Sequence, residues 1–354
     1  MPSVVDPFAL VHPDLRSALP DLIARDPAFP GGPSHVITTE EMRQLLPVLR
    51  KTWILDASHV PQIARQWPIE VRTIPGPADN PELTVLVVGA DPTRRRPAIL
   101  HMHGGGFIVG RAIDYMPVLQ AQALALDCII VSVEYRLAPE AAFPGALEDN
   151  YAALKWLWAE ADALGIDRTR IAVQGESAGG GHAAMLAIAA RDRGEVPIMF
   201  QCLTYPMLDD RTASTRSVPD HMGNWCWTAK YNRMGWSALL NCPAGSDVVP
   251  AGSVPARTQN LEGLPSAFVW VGTLDLFLEE DMDYARRLAH AGVPVELHVC
   301  PGAYHGFDGA APGSELTIHY KLDLICALAR AFGITPHPDS RKFLTPRAVQ
   351  RPNE

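Results

Sequence analysis

Long apolar runs are missing from this 354-residue chain. No window reaches the ~18 uninterrupted apolar residues that a membrane-spanning helix needs, which argues against an integral membrane protein. An excess of basic charge is missing too. Lysine and arginine number 30 against 39 aspartates and glutamates, a formal charge of -9, whereas a general nucleic-acid binder carries the opposite balance. The one compact basic run, Arg94-Arg95-Arg96, reads as a solvated turn ahead of a strand. The first residues, MPSVVDPFALVHPDL, lack a basic stretch followed by an apolar one, so no signal peptide is expected. Cysteines are scattered: Cys128, Cys202, Cys226, Cys242, Cys300 and Cys326 form no C-x-x-C pair, and three of them sit in strand-like apolar runs. There a free thiol packs as a small hydrophobe. A reduced, cytoplasmic setting is expected, with a Cys226–Cys242 bridge left open. No internal repeat is evident.

What is present is ample material for a core. Hydrophobic residues make up 47% of the chain, and its length suits one large domain with a smaller part appended. From about residue 69 two kinds of segment alternate. IEVRTI and LTVLVV read as neighbouring strands across a Pro/Asp/Asn turn. PAILHMH, a helix after Asp114, CIIVSVEYR, a long amphipathic stretch from Ala146 to Ala163, IAVQGES, an alanine-rich helix and MFQCLTYPML follow. After a break come SAFVWVGTLDLF, a helix through 285–291, VELHVCPGAYHG and a last helix over 315–332. Apolar β-branched runs alternating with helical patterns predict an α/β fold with a mostly parallel sheet covered on both faces.

Two regions depart from this rhythm. Residues 1–68 read as helical and proline-punctuated, and residues 209–262 carry Trp225, Trp227, Tyr231 and Trp236 among turn residues. An aromatic-rich insertion between two strands is where a lid would sit, although core packing explains such aromatics as well. The proline-rich tail of residues 334–354 is expected to lie over the surface or to be disordered.

The stretch IAVQGESAGGGHAA carries the chemistry. A G-x-S-x-G pattern between a strand and a helix is the setting of a sharp turn that presents the serine, here Ser177, at the positive end of a helix dipole. A serine hydroxyl is a poor nucleophile without a base. In a parallel sheet the base and its orienting acid belong at the ends of later strands. Asp275 closes SAFVWVGTLD and His305 closes VELHVCPGAYH, which gives the serine, acid, histidine order. Asp281 and Asp283 fall within the next helix and read as solvated, and His298 reads as a packed or edge residue. His103-Gly104-Gly105-Gly106-Phe107 follows a strand, and its glycines can turn backbone amides toward a developing oxyanion. Gly105, Gly106 and the amide of Ala178 are the expected donors. The alternatives for this loop are weaker: no G-x-G-x-x-G or G-K-[ST] accompanies it, and His101 and His103 have no third metal ligand in sequence reach.

Taken in order, HGGGF, YRLAPE at 135–140, GESAGG, Asp275-Leu276-Phe277 and YHGF resemble the hormone-sensitive-lipase-like family of α/β-hydrolase carboxylesterases, over roughly residues 70–333. The resemblance implies a catalytic domain of residues 69–208 and 263–333, and a helical cap built from residues 1–68 and 209–262. It implies that His103 ties down the glycine loop and that Asp149 is structural. Many members carry Asp where this chain has Glu176, and Asp-Pro-Leu where it has Asp275-Leu276-Phe277. The first difference is expected to change hydrogen bonding beneath the turn.

The expectation is therefore a serine carboxylesterase acting on short- to medium-chain acyl or aryl esters. Phe107, Trp225 and Trp227 would wall the substrate pocket, and neither metal nor cofactor is needed. The partner is a small ester molecule, with a homodimer open by analogy to the family. Rival classes are a small-molecule receptor, which would be expected to have lost part of the catalytic set, and a lyase or dehydratase, which would form no acyl-enzyme. An amidase or lactonase would keep the same residues.

Overall fold

The computed structural model describes residues 6–25, 39–52 and 60–345. Part of the helical reading of residues 1–68 therefore lies outside the described residues, as does the tail beyond residue 345. Among the described residues eight strands form one sheet: β1 (Ile69–Pro75), β2 (Glu82–Val88), β3 (Arg96–Met102), β4 (Ile129–Val133), β5 (Ile166–Glu176), β6 (Phe200–Thr204), β7 (Ser266–Gly272) and β8 (Val295–Cys300). Their spatial order is β1-β2-β4-β3-β5-β6-β7-β8. The β1–β2 and β2–β4 pairs are antiparallel, and every other pair is parallel. The first two strands form the hairpin that the Pro/Asp/Asn turn predicts.

Along β3 the period of two sends Ala98, Leu100 and Met102 into one core and Ile99 into the other. All seven residues of β3 and all five of β4 are buried, as parallel strands covered on both faces must be. Helices α1 (Leu19–Arg25) and α2 (Thr39–Thr52) precede the sheet. Helices after them include α3 (Ala112–Leu126), α4 (Gly145–Ala159), α5 (Ala178–Arg193), α6 (Ala229–Leu240), α7 (Leu278–His290), α8 (Glu315–Phe332) and α9 (Ser340–Leu344). Apolar residues of α4, α5 and α7 fill one core, and those of α3, α8 and α9 fill the other. Helix α5 is made of small residues because it lies hard against the sheet. A Cβ added at Gly179 would stand 2.0 Å from the Met102 carbonyl oxygen. Gly194 in the left-handed conformation ends this helix, with Arg191 and Arg193 in its last turn facing the negative dipole end.

Three expectations need correction. The tail is not all loose surface: Phe343 and Leu344 of α9 are buried in the core that α3 and α8 share. Arg96 is not solvated but buried, its guanidinium 5.6 Å from the centre of the Trp67 ring, while Arg94 and Arg95 stay exposed and pair with Asp127 and Asp162. The Cys226–Cys242 pairing that the sequence leaves open is settled as well: among the described residues no cysteine forms a disulfide. Asp281 is fully buried, because α7 turns that face inward beside Glu280, whose carboxylate accepts the Leu208 and Asp209 amides at 2.7 and 3.1 Å. Among the described residues no helix is long and apolar enough to cross a membrane.

Candidate active site

β5 ends at Glu176 and α5 begins at Ala178, so Ser177 alone makes the turn. Its φ of 57° and ψ of -121° are strained for a residue with a side chain. The strain is held by close packing: the Ser177 amide donates to the Thr204 carbonyl, and the Ser177 carbonyl accepts from Met207 and Gly181.

The loops after β7 and β8 bring the other two groups to this point. His305 Nε2 lies 2.8 Å from Ser177 Oγ, and His305 Nδ1 lies 2.9 and 3.1 Å from the two Asp275 oxygens. A carboxylate only accepts, so Nδ1 carries the proton it donates to Asp275, and the Nε2 lone pair is free to accept from the serine hydroxyl. Asp275 is wholly buried and also accepts the Phe277 amide at 3.0 Å, which fixes its orientation. The His305 ring is clamped edge-on by Phe277 at 5.1 Å and Tyr205 at 4.7 Å. Asp283, by contrast, pairs with Arg286 on the helix surface, and His298 on edge strand β8 pairs with Glu296 at 2.8 Å.

The glycine loop lies against the same turn. Burial pulls the His103 pKa from 6.5 down to about 3, so its ring is neutral, and Nδ1 donates to the Gly104 carbonyl at 2.9 Å. The Tyr135 hydroxyl donates to the His103 carbonyl at 2.6 Å, and the Gly104 amide donates to Tyr115 Oη at 3.2 Å. Gly106 has a φ of 57°, and a Cβ there would fall 1.8 Å from the Trp227 ring. The amides of Gly105, Gly106 and Ala178 have no acceptor among the described residues. Ala178 is in the first turn of α5, where the helix itself supplies none.

Beneath the turn runs a buried chain of polar groups that the sequence only hinted at through Glu176. The Glu176 carboxylate meets His101 Nε2 at 2.9 Å, and His101 Nδ1 meets Ser132 Oγ at the same distance. Gln174 bonds Gln122 at 2.6 and 3.1 Å and approaches Glu176 at 3.4 Å. Among the described residues no cluster of three or more His, Cys, Asp or Glu side chains is placed to hold a metal.

A cavity of about 260 Å³ opens over Ser177 and His305, with Gly105, Gly106, Trp227 and Tyr231 at its wall. Trp227 is thus where a substrate contact was expected. Phe107 and Trp225 are not. Phe107, with φ of 69°, packs its ring 4.9 Å from both His182 and Trp236, and Trp225 packs 5.9 Å from Tyr304, in both cases away from the cavity. The glycine-loop backbone and the fold of the insertion decide these directions, which local sequence does not display.

Residues 99–309, which include Ser177, Asp275 and His305, match a family model described as alpha/beta hydrolase fold. The chain is 35% identical over 308 residues to "Esterase LipI" of Mycobacterium tuberculosis, covering 79% of this chain and 92% of that protein. It is 37% identical over 216 residues to "Carboxylesterase NlhH" of the same organism, covering 60% of this chain and 66% of that one. Among solved structures, a "Bacterial Heroin Esterase" superposes with a TM-score of 0.75 at 31% identity, over 92% of this chain and 99% of that one.

Proposed function

The chain belongs to the hormone-sensitive-lipase-like family of α/β-hydrolase carboxylesterases, and from that premise we propose that it cleaves short- to medium-chain acyl or aryl esters through an acyl-enzyme on Ser177. The observation that carries this reading is the continuous hydrogen-bond path from Ser177 through His305 to Asp275, 2.8 and 2.9 Å long in its two links.

Ser177 Oγ attacks the ester carbonyl carbon while its proton passes to His305 Nε2. Asp275, buried and already bonded to Nδ1, stabilises the imidazolium that forms. The carbonyl oxygen, now an alkoxide, takes the free amides of Gly105, Gly106 and Ala178, which need no reorganisation to receive it. The intermediate collapses, the C–O bond to the alcohol breaks, and His305 returns the proton to the departing oxygen. Water then repeats the sequence: His305 takes its proton, hydroxide oxygen joins the acyl carbon, and Ser177 leaves with the proton as the free acid is released. Residues 209–262 and the N-terminal helices act as a cap. Trp227 from this insertion closes the glycine loop, and the α2 guanidinium of Arg50 bonds the Ile108 carbonyl just beyond that loop at 2.9 Å.

Hydrolysis of p-nitrophenyl esters of increasing acyl length tests the reading. The wild type is expected to prefer the shorter esters, with Ser177→Ala at least about ten-thousandfold lower in kcat/KM. A correctly folded wild type that acts on no ester would refute it.

A further inference from the structure

The cavity does not stop at Ser177. It continues past Glu176 into a space bordered by α3 and α8, where Asp308 and Lys321 join its lining. Lys321 is only 8% exposed, and among the described residues it makes no hydrogen bond and no ion pair. The groups that act on it are Asp308 and Glu176, both beyond ion-pair distance. Both are already engaged. Asp308 accepts from the Tyr205 hydroxyl at 2.5 Å, and Glu176 holds His101. Burial pulls the Lys321 pKa down, and the two carboxylates pull it back up. Leu324 and Ile325 make the neighbouring wall apolar.

Lys321 is thus a largely buried lysine that lines the cavity without a protein partner, and such a cation gains from an acceptor that reaches it there. An alkyl end would strip its remaining water and return nothing. A carboxylate would bond it but would also enter the field of Asp308 and Glu176. A second ammonium would be repelled by Lys321. A hydroxyl both accepts and donates, and adds no charge.

We infer that this arm of the cavity takes a hydroxylated substrate chain, Lys321 donating to the hydroxyl oxygen and Asp308 or Glu176 accepting its hydrogen. The substrate class is therefore esters with a hydroxyl remote from the scissile bond, an inference that rests on Ser177 being the nucleophile of an ester hydrolase.

The experiment compares kcat/KM by pH-stat for ethyl esters of terminally hydroxylated acids and of plain acids of equal length, from hexanoate to decanoate. Acetate monoesters of diols, compared with alkyl acetates, place the hydroxyl on the alcohol side instead. At the length that reaches Lys321 the wild type is expected to favour the hydroxylated ester roughly tenfold or more, the strength of a hydrogen bond to a charged group. That ratio collapses in Lys321→Met and is partly kept in Lys321→Gln, which also serves if the methionine variant does not fold. A ratio unchanged by either substitution, a preference for the plain chain, or a preference for a free carboxylate in the same position overturns the inference. Calorimetry on Ser177→Ala, comparing hexanediol with hexanol, reads the subsite without turnover. Tighter diol binding that is lost with Lys321 supports it even if the wild type hydrolyses no ester, the outcome that sinks the catalytic reading alone. Equal binding sinks the subsite.

Discussion

Ser177 stands between two polar assemblies built on opposite terms. On one side, His305 is bonded at both ring nitrogens and Asp275 accepts three contacts within 3.1 Å, so each group has one orientation and one proton path. On the other side, Lys321 is largely buried yet has no hydrogen-bond or ion-pair partner among the described residues, and the nearby carboxylates are turned toward Tyr205 and His101. Saturated hydrogen bonding makes a device that repeats one motion. Unsaturated hydrogen bonding makes a surface that waits for a ligand. Burial is common to both, so burial alone does not separate catalytic machinery from recognition; the count of partners does.

The largest effect should come from breaking the saturated side. Asp275→Asn keeps the shape but presents an amide that can force the wrong His305 tautomer, and kcat for a short ester is expected to fall about a thousandfold or more with little change in KM. A loss confined to KM would mean that Asp275 is not coupled to proton transfer. Next comes the glycine loop. Gly106→Ala places a methyl group where the Trp227 ring already is, 1.8 Å away, on backbone at φ 57°. Either the loop or the tryptophan must move, and an activity loss of about a hundredfold is expected from a displaced oxyanion donor. Near-normal kcat in a folded Gly106→Ala would show that this amide is not a donor.

A smaller effect sharpens the comparison elsewhere in the core. His182 is a buried histidine with neither ring nitrogen bonded among the described residues, and burial pulls its pKa from 6.5 to about 3. Between those values the unfolded chain binds a proton that the folded chain does not, so stability falls as pH falls through that window. His103 acts with the same sign. His182→Leu removes one such contribution without abandoning a hydrogen-bond partner. Urea unfolding at about pH 7.5 and about pH 4.5 should show a stability difference between the two conditions that is smaller by roughly 2 kcal/mol in the variant. The same difference in both proteins would mean that His182 reaches solvent in the native state.

The paired side was the legible one. Strand ends are visible in sequence because β-branched runs stop at turn residues, and this places Ser177, Asp275 and His305 at one edge of the sheet. The glycines beside Ser177 declare the tight turn themselves. The unpaired side sends no such signal. A lysine on a helix such as α8 reads as a surface residue, and only the packing of α3 and α8 around the cavity shows that Lys321 points into it. Asp281 departs from expectation for the same reason, since an acid in α7 is solvated or buried according to how the helix is rotated. Phe107 and Trp225 looked like pocket walls because they neighbour the right motifs. Their directions depend on backbone angles and distant contacts, as with the φ of 69° at Phe107. In the tail, Phe343 and Leu344 are a short apolar pair among prolines and charges, too brief to announce a docked helix.

Covalent trapping tests the central claim most directly. The protein would be incubated with an alkyl p-nitrophenyl phosphonate, its residual esterase activity followed, and the adduct located by peptide mass mapping. The predicted result is one phosphonyl group per chain, carried by the peptide containing Ser177, with activity lost in proportion to labelling and labelling much slower in His305→Gln. An adduct on another residue, or a fully labelled Ser177 in a protein that still hydrolyses esters, would contradict the account.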